Sequence, residues 1–313
     1  MEINQCEAVL KAVETGSLSA TAEALNYTQS GITRMIRSLE NELGYEVFFR
    51  SKHGVTLTEN GKAMLPMFAE IVRSHNHAKE FSSRLNGLLT GTLNIGTYYS
   101  ISALCLPPIL KGFCALYPGI TINLTEGGNR ETYEWLNDGL MDFCFCAKPS
   151  DSIPCRWIPL FEDEIVVWLP RGHEMEKAPS FPVQRLVQEP FIHTSPDHDT
   201  DQDRLLKQFS LHPDTRFSTR DGFSTYKMVA AGLGISFNQR LISRDWKEEV
   251  VELPFDPPQY ITLGIAAPAS GELSPAAKVF IAYAEKEILK SPPINKTAVE
   301  KSTAVEVNVN LPI

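Results

Sequence analysis

Apolar residues recur at three- and four-residue intervals along the first part of the chain, and this periodicity predicts amphipathic helices. The stripes are Ile3, Cys6, Leu10 and Val13, then Leu18, Ala22 and Leu25, then Ile32, Ile36, Leu39 and Leu43. Gly16 and Gly44 interrupt the pattern after the first and third stripes, while Ser17 and Thr28 stand where N-terminal caps belong. We therefore predict three short helices that share one core.

Two short apolar runs follow, at residues 45–50 and 55–57, and the basic, glycine-containing turn between them predicts a hairpin wing. Together these elements indicate a winged helix-turn-helix, in which the polar face of the third helix enters the major groove of DNA. Side chains that can contact base edges or phosphates occupy the expected positions. They are Ser17, Gln29, Ser30, Thr33, Arg34 and Arg37 on the helices, and Arg50, Lys52 and His53 on the wing.

On spacing alone, the same elements also fit an ordinary three-helix bundle whose polar face meets only water. Charge does not decide between the two, because the chain carries a net charge of −9, and residues 1–58 hold five basic side chains against seven acidic ones. Four of those five bases nevertheless fall on the predicted recognition helix and wing. DNA phosphates need positive charge only at the contact surface, so the negative net charge does not exclude DNA binding. With only four basic side chains there, we expect modest affinity at each site, which dimerisation would increase.

A long linker helix is predicted from its cap, Thr58, to about Leu89. Its seam positions alternate in steps of four and three, the heptad pattern of helices that pair with a second copy. These positions are Met64, Phe68, Ile71, His75, Ala78, Ser82, Leu85 and Leu89. Two of them are polar and Pro66 interrupts the helix, so a helix packed on its own domain is the alternative.

From Gly91 onward, strand and helix patterns alternate, which predicts a parallel sheet with helices on both faces. The first unit contains strands at 92–96, 120–126 and 142–146, with one helix predicted from about Ile101 to Tyr117. A second unit begins near Glu162, and a final helix from Pro275 is expected to pack on the first unit.

Specific motifs connect these elements to a known family. Residues 12–25 read AVETGSLSATAEAL, residues 28–34 TQSGITR and residues 36–40 IRSLE. This block strongly resembles the DNA-binding domain of LysR-type transcriptional regulators. The segments GTLNIG at 91–96, FEDE at 161–164 and VAAGLGI at 229–235 resemble landmarks of the same family's effector domain, so that the resemblance covers about 290 residues.

The resemblance implies an α/β protein with an N-terminal all-α winged helix-turn-helix and a C-terminal two-lobe domain like the type 2 periplasmic binding proteins. The implied divisions are the DNA-binding domain 1–58, the dimerising linker helix 59–90, lobe I 91–161 and 267–290, lobe II 162–266, and a flexible tail 291–313. It also implies a homodimer or homotetramer that binds double-stranded promoter DNA and a small-molecule effector, with RNA polymerase as a further candidate partner and no membrane contact.

Ligands of such sheets bind beyond the carboxyl ends of the strands, near helix N-termini. That rule, with the resemblance, selects Thr97, Tyr98, Tyr99, Ser100, Ile101, Glu126 and Ala147 in lobe I, and His193, Thr194, Asp221, Phe223 and Ser224 in lobe II. Helix capping is the alternative role for Ser100 and Ser224. Free helix amides, hydroxyls and aromatic rings suit a small carboxylate or aromatic effector, whereas Glu126 and Asp221 could favour a ligand that bears an amine.

Other signals are weaker. Cys144 and Cys146 share one face of a strand and are interpreted as core residues, since no metal-binding spacing accompanies them. The alternating aspartates at 197–203 lack the glycine and final glutamate of a calcium loop. We therefore expect no metal and no cofactor.

The sequence carries no catalytic motif, so we expect no enzyme activity. The opening residues lack the pattern of a signal peptide, and we expect a cytoplasmic protein with reduced cysteines. The alternative function is a cytoplasmic solute-binding protein or lobe-type enzyme that does not bind DNA.

Overall fold

The computed structural model describes residues 1–52, 54–85, 89–150, 153–196, 198–246, 250–269 and 272–293. The predicted wing residue His53 and the predicted tail beyond residue 293 lie outside these ranges. The N-terminal elements are α1 (Ile3–Thr15), α2 (Leu18–Ala24), α3 (Gln29–Leu43), β1 (Phe48–Ser51), β2 (Gly54–Leu57) and α4 (Glu59–Leu85).

The predicted caps and stripe of α3 are confirmed. The hydroxyl of Thr28 accepts a hydrogen bond from the amide of Gly31 at 3.1 Å, which satisfies one of the free donors at the helix start. Gly44 ends the helix in the left-handed conformation, with φ of 78°. Ile32, Ile36 and Leu39 are fully buried on one side, so the opposite side of α3 is left for solvent.

The wing is attached to the turn between α1 and α2. Strands β1 and β2 pair antiparallel, and the amide of Val55 donates to the carbonyl oxygen of Gly16 at 2.9 Å. Gly54 adopts a φ of +125°, and a Cβ atom there would lie 2.2 Å from that same carbonyl oxygen. The close approach therefore requires glycine, and it places the wing beside the helices.

The C-terminal domain contains two lobes joined by two long strands. Its strands are β3 (Gly91–Thr97), β4 (Ile120–Glu126), β5 (Phe143–Ala147), β6 (Cys155–Pro170), β7 (Phe181–Pro182), β8 (Pro190–Thr194), β9 (Asp214–Thr219), β10 (Ser236–Gln239) and β11 (Val250–Pro268). Its helices are α5 (Tyr99–Leu104), α6 (Leu106–Leu116), α7 (Asn129–Asp138), α8 (Asp201–Gln208), α9 (Gly222–Ala230), α10 (Arg240–Ser243) and α11 (Pro275–Lys290), with a 3₁₀ turn at Val183–Gln188.

One continuous sheet runs through both lobes, in the order β10-β6-β11-β5-β3-β4, with β7 beside β11. Lobe I holds the parallel strands β3, β4 and β5, as predicted, whereas β5 and β6 each pair antiparallel with β11. Lobe II adds the separate parallel pair β8 and β9. The expected lobe boundaries at residues 161 and 266 therefore fall inside two strands that pair with each other, and these strands are the connection between the lobes.

The single helix predicted from Ile101 to Tyr117 is wrong. The chain forms two helices, α5 and α6, which are separated at Cys105. Pro107 and Pro108 open the second helix, where a missing amide hydrogen and a fixed φ are tolerated, but neither residue fits the interior of one long helix.

The linker helix α4 uses the first part of its predicted seam inside its own domain. Phe68 is fully buried against the core formed by α1 and α3, and Met64 and Ile71 pack beside it. The last described helical residue is Leu85, and Leu89, the predicted end of the helix, is not helical. The domain-packed alternative is therefore correct for this half of α4. The amphipathic pattern alone cannot show which partner covers a face.

The second half of α4 is fastened to lobe I by a buried carboxylate. The side chain of Glu80 is 5% exposed and lies close to Ser274 and to the Ala276 backbone at the start of α11, while its Oε2 has no partner among the described residues. Burial raises the pKa of Glu80. A Cβ atom on Gly91 would collide with the same carboxylate, so the start of β3 must be glycine. The linker and lobe I are thereby in direct polar contact.

Candidate nucleic-acid interface and effector site

The exposed side of α3 forms an open groove of about 670 Å³. It is lined by Gln29, Ser30, Thr33, Arg34, Arg37, Ser38 and Asn41. Five of these seven residues were predicted from the sequence. Ser38 and Asn41 were missed, although both continue the same helical face at spacings of four and seven residues from Arg34.

The cations of this surface differ in how far their charge is available. Arg34 and Arg37 are exposed and form no ion pair with any described residue, and the same is true of Lys52 on the wing. Arg50, in contrast, donates to the Glu40 carboxylate at 2.7 Å, and the other oxygen of that carboxylate accepts the Val47 amide at 2.9 Å. Arg50 therefore holds the wing against α3, and its charge is partly neutralised within the domain.

Three predicted hydroxyl contacts are local bonds in the free protein. The Ser17 hydroxyl accepts from the Ala20 amide at 3.4 Å and caps α2. The Thr33 hydroxyl donates to the carbonyl oxygen of Gln29 at 2.8 Å, and the hydroxyls of Ser30 and Thr28 lie 3.1 Å apart. These bonds orient α2 and α3, and all three groups have acceptor lone pairs left for DNA.

In lobe I, most of the predicted effector residues are buried. Thr97, Ser100, Ile101 and Ala147 are at most 2% exposed, whereas Tyr99 and Glu126 lie largely in solvent. The Tyr98 side chain is 8% exposed, and its hydroxyl has no hydrogen-bond partner among the described residues. Burial, with the nearby Asp201 carboxylate as the next cause, raises the pKa of Tyr98 well above its usual value.

In lobe II, the predicted residues bond chiefly to one another. The hydroxyl of Thr194 lies 2.8 Å from that of Thr225, and Nε2 of His193 is 3.0 Å from the Asp203 carboxylate. Asp221 accepts the Ser224 amide and hydroxyl, both at 2.7 Å, which lowers the pKa of Asp221 even though burial opposes it. The Phe223 ring meets the Trp246 ring edge-on, at a centroid distance of 5.1 Å. The cap of α9 is therefore Asp221, and Ser224 lies in the first turn of the helix and donates to that cap.

Apart from Ser100, the residues that join the lobes were not selected by sequence reasoning. The Asn129 amide nitrogen donates to the carbonyl oxygen of Asp199 at 2.5 Å, and a guanidinium nitrogen of Arg204 lies 2.5 Å from the Tyr133 hydroxyl. Gln239 accepts from the Ser100 hydroxyl at 3.2 Å and donates to Asp201 at 2.6 Å. We call Tyr98, Ser100, Asn129, Asp201 and Gln239 the interlobe cluster.

Free helix amides, on which the carboxylate expectation rests, differ from one helix start to the next. Glu131 accepts the amide of Gly128 at the start of α7, and Thr200 with Asp203 closes the start of α8 in a reciprocal pair of bonds. Asp221 does the same for α9. The expectation of free amides is therefore wrong for α9, whereas no side chain caps the first amides of α5 and α7.

The weaker signals resolve as structural features. Cys144 and Cys146 are fully buried, and burial raises the pKa of Cys144 to about 12. Of the alternating aspartates, Asp199 pairs with Arg204 and Asp201 with Gln239. Within the described ranges, no three histidine, cysteine or acidic side chains are grouped to hold a metal ion. In the same ranges, no helix is both long and apolar enough to span a bilayer.

Comparisons with known proteins agree with both halves of this architecture. Residues 3–62 match the family model described as bacterial regulatory helix-turn-helix protein, lysR family, and residues 86–288 match the LysR substrate binding domain. The chain is 28% identical over 291 residues to the uncharacterized HTH-type transcriptional regulator YvbU of Bacillus subtilis, covering 91% of this chain and 98% of that protein.

Solved structures share the fold. A full-length OxyR variant from Pseudomonas aeruginosa superposes with a TM-score of 0.73 at 21% identity, covering 96% of this chain and 99% of that one. Full-length CbnR in complex with its target DNA gives a TM-score of 0.61 at 17% identity, covering 91% and 99% of the two chains.

A winged helix-turn-helix joined by a long helix to a two-lobe substrate-binding domain defines an effector-responsive, DNA-binding transcriptional regulator. The matched domains account for most of the chain, and the protein belongs to the LysR family of regulators. The helix-turn-helix domain makes this chain a DNA-binding regulator of that family, and its second domain is the family's substrate-binding domain.

Proposed function

We propose that this regulator contacts its promoter through the exposed face of α3 and the wing, and that an effector acts at the interlobe cluster. The observation that carries the DNA contact is the set of uncommitted cations on one surface. Arg34 and Arg37 flank the groove, and Lys52 lies on the wing. A guanidinium group on a recognition helix can donate two hydrogen bonds to the edge of one guanine, or it can bind a phosphate.

We infer that pairing of two chains uses the outer side of α4. Met67, Phe81 and Leu85 are between 52% and 75% exposed, although all three are large and apolar. Met67 and Phe81 are separated by two heptads, which places them on the same side of a helix, and Leu85 follows one turn later. A second copy covering this side would set two recognition helices on a two-fold related DNA site, as in dimeric helix-turn-helix proteins.

The effector is proposed to act by changing how the lobes meet. Hydrogen bonds from Ser100 and Asn129 cross to lobe II, so a ligand that inserts there must replace them. Because Glu80 ties α4 to lobe I, a change in lobe orientation reaches the helix that carries the DNA-binding domain. A ligand can shift the equilibrium between two lobe arrangements only by the difference in its affinity for them, and transcription changes accordingly. The protein then works by binding and not by catalysis, in the cytoplasm, where promoter DNA is found.

The DNA contact is tested by fluorescence anisotropy with DNA from upstream of the gene that encodes this chain, and with scrambled DNA of equal length, over a salt series. Three free cations in each of two subunits predict a slope of log affinity against log salt of about −5. The upstream DNA should bind at least about tenfold more tightly than the scrambled DNA. A slope near zero, or equal affinity for both sequences, contradicts the proposal.

The effector site is tested with the variants Ser100→Trp and Thr194→Trp in a promoter-reporter strain. Ser100→Trp places a large ring where the lobes meet, and Thr194→Trp places one at the carboxyl end of β8, so the response to inducing conditions should change while anisotropy still reports promoter binding. Leu116→Trp, at a side chain that is 61% exposed on α6, is the control and should respond like wild type. Normal induction in both interlobe variants would refute the assignment.

A further inference from the structure

The atoms without partners at the junction of the lobes are all oxygens. They are the Tyr98 hydroxyl, Oδ1 of Asn129 and Oδ1 of Asp201. Tyr98 and Asn129 are 8% and 3% exposed, and each of these oxygen atoms is shielded from water. A buried polar atom without a hydrogen bond is costly, so the three oxygens mark a place where a ligand can add bonds.

These oxygens belong to one cluster. The charge of Asp201 acts on the Tyr98 hydroxyl, and Asn129 acts on Asp201 as a hydrogen-bond donor while it also donates to the carbonyl oxygen of Asp199 at 2.5 Å. Gln239 donates to the second oxygen of Asp201 at 2.6 Å, and Oδ1 has no partner among the described residues. Two of the three atoms can only accept a hydrogen bond, and the third can either accept or donate. The cluster therefore requires a ligand that donates.

The surrounding charges favour a cation. Carboxylates of Glu131, Asp203 and Asp221 occupy the starts of α7, α8 and α9, so the positive ends of these helices are already neutralised. The Arg204 guanidinium reaches the junction, but it is held by Asp199 at 2.7 Å and by the Tyr133 hydroxyl. A carboxylate ligand would meet acceptors here, which is unfavourable in a buried setting.

We propose that the effector presents a cationic nitrogen, as an ammonium or amidinium group, to Asp201, Asn129 and Tyr98. This inference rests on the proposed effector site and specifies the chemistry that the site recognises. N–H donors of such a group satisfy all three oxygens at once, and its charge balances the Asp201 carboxylate. Burial raises the pKa of Asp201 in the ligand-free protein, and the hydrogen bond from Gln239 and the charge of Arg204 offset this only in part. The ligand enters as the lobes separate, because hydrogen bonds now close the junction.

Three probes of nearly the same shape separate charge from size: benzamidine, benzamide and benzoate, which are cationic, neutral and anionic at pH 7.5. Each is titrated up to about 10 mM into the full-length protein, with binding followed by calorimetry and thermal shift. The proposal predicts that benzamidine binds and stabilises the protein, with an affinity at least about tenfold above that of the other two. Stronger binding of benzoate, equal binding of benzamide, or no binding of benzamidine overturns it.

Variants locate the contact. Asp201→Asn should weaken benzamidine binding about 10- to 100-fold, whereas Asp214→Asn, at an exposed carboxylate paired with Arg216, should leave it unchanged. Tyr98→Phe removes a hydroxyl that has no partner, so the ligand-free variant should be as stable as wild type and still bind benzamidine more weakly. Undiminished binding in both cluster variants contradicts the proposal.

The outcomes also distinguish this inference from the proposed function. If benzoate binds and Ser100→Trp abolishes that binding, the effector site stands and only the cationic class is refuted. If no probe binds and Ser100→Trp also induces normally, the effector site itself is refuted. Promoter binding is measured separately and depends on neither result.

Discussion

The two recognition surfaces of this regulator are built in opposite ways. On α3, Arg34 and Arg37 extend into solvent with no ion pair among the described residues. Between the lobes, Ser100, Gln239 and Asp201 form a chain of hydrogen bonds that is largely closed to water. One surface has its polar groups uncommitted before its partner arrives, and the other has them bonded to each other.

This difference follows from what each surface binds. Cationic side chains that are exposed to water stay solvated, so they destabilise the free protein little. When they bind DNA, the phosphates release counterions, and this release favours binding. Most polar groups buried between the lobes are paired in the free protein, because each unpaired one destabilises it. An effector therefore exchanges bonds with the cluster, and that exchange can alter the arrangement of the lobes. Substitutions should accordingly affect affinity on α3 and stability between the lobes.

The largest expected effect concerns α4, the helix that joins the two surfaces. Phe68→Ala removes a fully buried ring from the core of the DNA-binding domain and should reduce its unfolding free energy by about 3–5 kcal/mol. Phe49→Ala, in the same domain but 59% exposed, should change it by less than about 0.5 kcal/mol. Urea denaturation measures both, and equal losses would contradict the packing of α4 described above.

The next effect is a pH dependence from the connection between the lobes. Asp163 on β6 is fully buried and accepts the Leu241 amide at 3.1 Å, and burial raises its pKa to about 7. The folded protein keeps this proton at pH values where the unfolded chain has lost it, so stability falls as pH rises from about 4 to 7.

Asp163→Asn removes that titration. Relative to wild type, the variant should gain about 2–3 kcal/mol of stability between pH 5 and pH 8, measured by urea denaturation at both values. Asp214→Asn, which is exposed, should show no such gain. A constant difference between wild type and Asp163→Asn across this range would mean that Asp163 does not titrate as its burial implies.

A matched pair of glutamines sharpens the comparison directly. Gln239→Ala breaks bonds to Ser100 and Asp201 and should lower the unfolding free energy by about 1–3 kcal/mol with promoter affinity intact. Gln29→Ala, on the exposed face of α3, should do the reverse, with normal stability and weaker promoter binding. If both variants lose stability, or both lose affinity, the two surfaces are not built differently.

The smallest expected effect is on redox chemistry. Burial raises the pKa of Cys144 to about 12, so its thiolate is rare near neutral pH. Cys114 is exposed. A thiol reagent added to the native protein should modify Cys114 first and leave Cys144 and Cys146 unmodified, as mass spectrometry would show. Rapid labelling of either buried cysteine would require an opening that this fold does not show.

Local features of the DNA-binding domain could be predicted from the sequence because each depends on neighbours along the chain. Thr28 caps a helix three residues away, and the stripe from Ile32 to Leu39 repeats every helical turn. The pairing of Arg50 with Glu40 was missed, since it depends on how the wing folds back on α3. A basic residue on the wing alone does not reveal that its charge is shared.

The junction between the lobes could not be predicted in the same way. Gln239 and Ser100 are far apart in the chain and meet only when two separate units pack together. The rule for parallel sheets selected Tyr98 and Ser100 correctly as residues near the junction, but it said nothing of the partners in lobe II. Asp201 belonged to a run of aspartates that lacks the features of a calcium loop, and nothing in that run indicated a contact between lobes.

The most direct test of the account is the promoter affinity of Arg34→Ala compared with Arg216→Ala, measured by anisotropy together with the melting temperature. Arg34 lines the α3 groove, whereas Arg216 lies on β9 in lobe II and pairs with Asp214. We predict that Arg34→Ala weakens promoter binding about 10- to 100-fold without a change in melting temperature, and that Arg216→Ala binds like wild type. Unchanged affinity in Arg34→Ala, or an equal loss in both variants, would contradict the central claim that α3 reads the DNA.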